Sequence, residues 1–301
     1  MKKMLKARWQ LYVLLLFPFC YVLVFSYIPM GGALIAFKDY SFRAGIFGSA
    51  WVGVENFIKF FTSPQFGKVV INTVSLSVYS LVAGFPIPVL FALLLNALPG
   101  KRYKKVIQTV TYIPYFISVV VIVSLVFQLM DFRIGLYGNL YRLFTGEKAS
   151  NILAVGSNFR HVYVWSGIWQ NTGYNSVIYF AALAGIDPSL HEAATIDGAS
   201  RWQRIRYIDF PGILPTVSIL LILQVGKIMN VGFEKVLLMQ NDLNMAYSEI
   251  ISTYVYKVGI AAQIPDYSYS TAIGLFNSVI NFLLLITANK ISKNISGNGI
   301  F

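Results

Sequence analysis

Three of the apolar stretches in this 301-residue chain carry polar side chains suited to holding a solute. Asn171, Tyr174 and Asn175 are spaced i, i+3, i+4, so a helix puts them on one face, with Gln170 beside them and Trp165 and Trp169 on adjacent turns. A later stretch offers Gln224, Lys227 and Asn230, and the last offers Asn277, Ser278 and Asn281. A polar group in an apolar helix either bonds a neighbouring helix or lines a wet path, and for any single Asn or Ser the first use is the commoner. Concentration on three stretches favours a lined path. Amides donate to and accept from hydroxyls, and flat rings stack on sugar faces, so the set suits a neutral polyhydroxylated solute. An ion pathway would show Asp or Glu at depth. Lys227 stands apart: it pairs with a carboxylate on a partner subunit, lines the path near an acidic sugar, or snorkels to an interface.

Catalytic chemistry has little to work with. There is no G-x-S-x-G element and no phosphate-binding G-x-x-x-x-G-K-[ST] loop, so ATP, if it drives the protein, is used with Mg by another chain. His161 and His191 each read as an ordinary polar residue, with no second His, Asp or Glu at a metal-binding spacing, and Cys20 is alone, which excludes an intramolecular disulfide. The chain is read as a non-enzyme that binds no metal or cofactor itself.

The elements that must position these side chains are membrane helices. With 56% hydrophobic and 12% charged residues and a mean hydropathy of +0.64, the chain is a polytopic all-α membrane protein, expected as one domain over residues 1–301. A net charge of +12 comes with no basic patch set apart from the apolar runs and no nucleic-acid motif, which fits Lys and Arg facing the cytoplasm better than a nucleic-acid partner. Six spans are expected at residues 11–30, 69–98, 106–130, 162–185, 212–233 and 271–288, in a lipid bilayer. Lys2, Lys3, Lys6 and Arg8, then Lys101, Arg102, Lys104 and Lys105, then Lys290 and Lys293 flank short segments, which places both termini on the inner side. Pro86 and Pro88 predict a kink in the second span, either a hinge or a packed irregularity.

Between the fourth and fifth spans lies a polar, basic loop, residues 187–211. Asp187 suits an N-cap with Pro188 behind it, Gly198 ends that helix, and Ser200 caps a second. On physics alone, an amphipathic helix pair of this kind is more often a surface-lying connector than a docking device. Its residues shift the balance. Glu192-Ala193-Ala194, three residues, Gly198, nine residues and Ile208-x-Phe210-Pro211 resembles the EAA loop of bacterial ABC importer permeases, departing only in Phe210 for Leu.

Nearly the whole chain is similar to the oligosaccharide and polysaccharide branch of the carbohydrate ABC permeases, related to the membrane subunits of the maltose importer. The carrying residues are Tyr27-Ile28-Pro29-Met30, Ala36-Phe37-Lys38-Asp39-Tyr40, Trp51-Val52-Gly53 with Asn56-Phe57, Gln108-Thr109-Val110-Thr111-Tyr112-Ile113-Pro114, Asn230-Val231-Gly232-Phe233-Glu234-Lys235 and Asp266-Tyr267-Ser268-Tyr269. The resemblance implies a six-helix type I ABC importer permease in the bacterial cytoplasmic membrane. Its partners would be a second, homologous permease in a heterodimer, two cytoplasmic ATPase subunits that use ATP and Mg, and an extracellular solute-binding lipoprotein delivering an oligosaccharide. It makes the loop a cytoplasmic coupling helix, with Glu192, Ala193, Ala194, Asp197 and Gly198 at the ATPase. It also places Trp169, Gln170, Asn171, Tyr174 and Gln224 where the related permease contacts sugar. An ion-coupled secondary sugar transporter is the rival reading, but it would bring inverted repeats and intramembrane carboxylates, and neither is visible.

Overall fold

The computed structural model describes residues 9–296, with side chains through Lys293; Lys2, Lys3, Lys6 and Arg8 of the basic N-terminus lie outside the described residues. Helix follows apolar character along the chain. Trp9–Val22 (α1) continues through a wide π turn and a 3-10 segment as one helical run to Phe37, past the expected end at residue 30. Gly31 does not stop it, because the glycine takes ordinary helical angles, φ −58° and ψ −25°.

Pro64–Gly84 (α2) and Pro86–Ala97 (α3) meet at Phe85 to form a run of 34 residues, about 50 Å at 1.5 Å per residue and so longer than a bilayer core requires. Pro86 occupies the first turn of α3, where no N–H is needed, and the irregularity is therefore local.

The expected third span is broken. Lys101–Tyr112 (α4), carried on to Phe116 by a 3-10 turn, and Val119–Met130 (α5) make an angle of 103°. Pro114 withholds a backbone donor, Ile117 is extended, and Ser118 caps α5 by accepting from the Val121 N–H. The basic residues at 101–105 thus form the first turns of α4 rather than a loop. Their charge opposes the dipole of α4, but Lys104 Nζ reaches back to the Asn96 carbonyl at 2.6 Å, at the end of α3, where a cation is favourable.

The fourth expected span is two helices, Phe159–Asn175 (α6) and Val177–Ala184 (α7), parted at the buried Ser176. Pro188–Ile196 (α8) is the first helix of the polar loop. The second does not stop before the fifth span: Arg201–Arg204 passes through a π turn, Ile205–Asp209, into Phe210–Val225 (α9), a continuous helical run. Pro211 lacks the N–H that an α-helix would give to residue 207, and the widened turn just before it accommodates the loss. Phe233–Met239 (α10), Ile251–Gly259 (α11) and Tyr267–Ser296 (α12) follow, and shorter helices such as Glu55–Phe61 and Leu136–Thr145 lie in the connecting segments. Four described runs are long and apolar enough to cross a membrane, and the bent α4–α5 pair is a fifth candidate.

The chain divides into two compact units. The first comprises residues 1–66 and 254–277. Phe60 is fully buried there, edge-on to Phe66, Tyr269 and Phe276, and Phe37 stacks on Trp51 with centroids 5.7 Å apart. Asn56 Nδ2 donates to the carbonyls of Ala36 and Lys38, Ser268 Oγ accepts from the Tyr40 N–H, and Lys59 pairs with Asp266 at 2.7 Å. A two-residue antiparallel strand pair, Lys38–Asp39 with Ala50–Trp51, closes a loop of this otherwise helical unit.

The second unit comprises residues 67–253 and 278–301. One apolar cluster joins Leu76, Val123, Phe159, Val164, Val236 and Ile250, and another joins Val89, Leu93, Tyr179, Leu183, Ile205 and Ile213. Both the polar loop and the candidate solute-binding residues, apart from Asn277, belong to this unit.

Candidate functional site

The polar loop folds as its local chemistry dictates. Asp187 accepts from the Ser189 N–H at 2.9 Å, and this bond, with a second from the Ser189 hydroxyl, holds its carboxyl below the usual carboxylate range. Gly198 has φ +75°, a left-handed conformation that lets the Ala199 N–H turn back to the Ala194 carbonyl at 2.8 Å. Ser200 and Gln203 form a reciprocal capping box, 2.7 and 3.3 Å, at the start of the second helix. Arg204 Nη1 then donates to Thr195 Oγ1 at 3.0 Å, and His191 lies 3.3 Å from the buried Asp209. The product is a closed elbow.

Its two sides differ. Glu192, Ala193, Asp197 and Gly198 are exposed and Ala194 is half-buried, so the five residues expected to meet an ATPase sit together on α8 and its cap. Leu190, Ile196 and Trp202 are exposed apolar side chains on the same elbow. Facing inward, Ile205 packs in the cluster with Val89 and Leu93 of α3, Tyr179 and Leu183 of α7, and Ile213 of α9. The elbow is therefore bonded within itself and seated on three helices.

Beside those helices a cavity of about 740 Å³ opens within the second unit. Asn171, Tyr174 and Asn175 border it from α6, as the i, i+3, i+4 spacing predicts, and Gln224, Lys227 and Asn230 border it from the end of α9 and the turn beyond. Asn171 is steadied by donating to the Gly167 carbonyl at 2.8 Å. Tyr174 has one ring face covered: Tyr115 stacks on it with centroids 3.8 Å apart and planes 8° from parallel.

The other expected residues lie elsewhere. Trp169 is exposed and does not border the cavity. Gln170 is buried, and its Nε2 donates to the Ile117 carbonyl at 3.3 Å, where α4 and α5 part, so it serves as a tie between helices. Asn281 on α12 accepts from the Met229 N–H at 3.0 Å and donates to Asn230 Oδ1 at 3.1 Å, fixing the turn after α9. Asn277 belongs to the first unit.

Sequence reasoning did not single out Ser77 and Ser80 of α2, Tyr163 of α6 or Lys235 of α10, all of which border the cavity. Lys235 had the clearer signal, as a cation two residues after the Gly232-Phe233 pair and next to Glu234. Gly173 has a structural part to play: a Cβ there would run into the Thr111 carbonyl, so its absence lets α6 lie backbone to backbone against α4. Among the described residues no group of three His, Cys, Asp or Glu side chains is placed to hold a metal ion.

Residues 84–297 match the family described as binding-protein-dependent transport system inner membrane component. Protein LplB of Bacillus subtilis (strain 168) is 42% identical over 98% of this chain and 92% of its own length. The polygalacturonan/rhamnogalacturonan transport system permease protein YteP of the same organism is 42% identical over 96% of this chain and 89% of its own. Among solved structures, a chain of a bacterial ABC transporter involved in the import of the acidic polysaccharide alginate superimposes with a TM-score of 0.88 at 37% identity, covering 98% of both chains. A bacterial alginate ABC transporter in complex with a pentasaccharide-bound periplasmic protein gives 0.89 at 36% identity over 99% of each.

Proposed function

Because the chain belongs to the binding-protein-dependent transport system inner membrane components, we propose that it is one permease half of an ATP-driven importer that moves oligosaccharides into the cell by alternating access. It is a membrane transport subunit and no enzyme. The second half is a homologous but different permease. Two cytoplasmic ATPase subunits use ATP and Mg, and a solute-binding lipoprotein presents the sugar from outside.

One observation carries this reading: the amide-lined wall of the cavity is drawn from α6 and from the end of α9, of which α9 continues directly from the elbow and α6 leads to it through α7. Closure of the ATPase pair on nucleotide binding moves α8. The shared cluster of Ile205, Leu183, Val89 and Ile213 passes that movement to α7, which follows the Asn171-bearing α6 at Ser176, and to α9, which carries Gln224. Glu192, Ala193, Ala194, Asp197 and Gly198 form the docking face, which puts the elbow and both termini on the cytoplasmic side. Asn171, Tyr174, Asn175, Gln224, Lys227 and Asn230 form the sugar path, while Trp169, Gln170, Asn277 and Asn281 support it or lie outside it. Among the described residues no Asp or Glu borders the cavity, which counts against ion coupling.

The test is transport by the whole importer in proteoliposomes. Uptake of oligosaccharide is expected to require enclosed ATP and to persist when ion gradients are collapsed. Uptake that continues without ATP would overturn the reading.

A further inference from the structure

Lys235 is the only buried Lys or Arg among the described residues, 8% exposed, and it borders the cavity. Its Nζ donates to the Tyr163 carbonyl at 2.9 Å and stands 4.8 Å above the centroid of the Tyr163 ring. Gly167, on the next turn of α6, leaves the space it occupies: a Cβ there would stand 3.2 Å from Nζ. Carbonyl and ring face hold the cation in place and neutralise none of its charge. Among the described residues Lys235 makes no ion pair, and of its three N–H donors one is used.

The rest of the wall sharpens the anomaly. Lys227 borders the same cavity and forms no ion pair among the described residues, and no Asp or Glu lines it. A buried cation is costly unless an anion meets it, so a wall with two cations and no carboxylate is matched to a solute that brings the negative charge. Neutral sugars would be served by Asn171, Asn175 and Gln224 alone.

We propose that this cavity takes an acidic oligosaccharide, a glycan of uronate units, whose carboxylate is received by Lys235, with Lys227 as a second positive contact along the path. The proposal rests on the permease reading and names its substrate class. Lys235 is then a specificity residue, and Tyr163 positions it.

The complete importer with its own binding protein, in proteoliposomes enclosing ATP, is given trigalacturonate, the methyl ester of trigalacturonate and neutral maltotriose. Wild type is expected to take up the acid in preference to its ester. Lys235→Gln should lower uptake of the acid by roughly ten- to a hundredfold, the loss of one charge-assisted hydrogen bond, and leave uptake of the ester within about twofold. Lys235→Arg should keep most of the acid uptake, and copurified ATPase should be unchanged in both variants. Equal loss of acid and ester uptake in Lys235→Gln assigns the residue a structural role and overturns the proposal. Uptake by wild type of maltotriose or the ester in preference to the acid, a comparison that depends on no variant, overturns it while the carbohydrate permease stands. Absence of ATP-driven uptake of every probe overturns both.

Discussion

Arg204 donates to Thr195 across 3.0 Å, and the bond ties the end of one elbow helix to the other. Gly198 makes the turn between them, so this side-chain contact, together with the approach of His191 to Asp209, couples α8 to the run that begins at Arg201. Arg204→Met should remove about 1 kcal/mol of local stability and loosen that link. The expected result is an assembled complex whose ATP hydrolysis no longer rises when loaded binding protein is added. Undiminished stimulation would show that the elbow stays closed without the bond.

Gly198 separates conformation from crowding. Nothing lies within 4 Å of a Cβ built there, so Gly198→Ala costs only what a left-handed backbone demands of alanine, roughly 1–2 kcal/mol. Gly198→Asn should cost less, because Asn tolerates that region. Copurified ATPase should fall in the order Gly, Asn, Ala. Equal retention by all three would mean that the turn contributes nothing to docking.

The cap at Asp187 gives a pH dependence of known sign. Its carboxyl is held below the ordinary value of about 3.9 when folded, so the stabilisation is complete above that value and is lost as pH falls through the lower, folded one. Acid should fray the first turn of α8, and alkali should not. The protection factor of the Ser189 amide, its exchange rate set against the intrinsic rate at the same pH, should fall on acidification in wild type and lose that response in Asp187→Asn, which keeps a cap acceptor without the titration.

Neighbouring residues on α6 should fail in different ways. Asn171→Ala should cut oligosaccharide uptake at unchanged thermal stability, since Asn171 borders the cavity and its bond to Gly167 lies within its own helix. Gln170→Ala should lower stability by about 1 kcal/mol through the lost tie to Ile117. Identical profiles for the two variants would sink the distinction between path and tie.

Gly173→Ala tests the helix contact behind them. The added methyl collides with the backbone of Thr111, which cannot swing aside as a side chain would, so a loss of about 1–3 kcal/mol is expected as a lower Tm in detergent. Gly167→Ala should be milder, because its neighbour there is the flexible end of Lys235.

Local chemistry makes the elbow legible in the sequence itself: Asp187, Gly198 and Ser200 each do what their backbone positions ask of them, with partners within a few residues. The same holds for the face shared by Asn171, Tyr174 and Asn175, which depends only on helical period. Contacts with distant partners are not legible in that way. Lys235 finds Tyr163 from 72 residues away and Gln170 finds Ile117 from 53, and neither meeting is written in the spacing around the residue. The break between α4 and α5 is an intermediate case. Pro114 and Ser118 are visible signals inside an apolar run, where average hydropathy outweighs a single missing donor.

The uninterrupted helical run from Arg201 to Val225 has a mechanical consequence. From Trp202 to Gln224 it measures about 33 Å at 1.5 Å of rise per residue, so a tilt of about 5° pivoting near the elbow swings the far end by about 3 Å. That displacement is comparable to the length of one hydrogen bond. The run is a lever arm, and under the proposed docking of the elbow a modest rotation there is enough gearing to make or break a bond between Gln224 and a sugar hydroxyl.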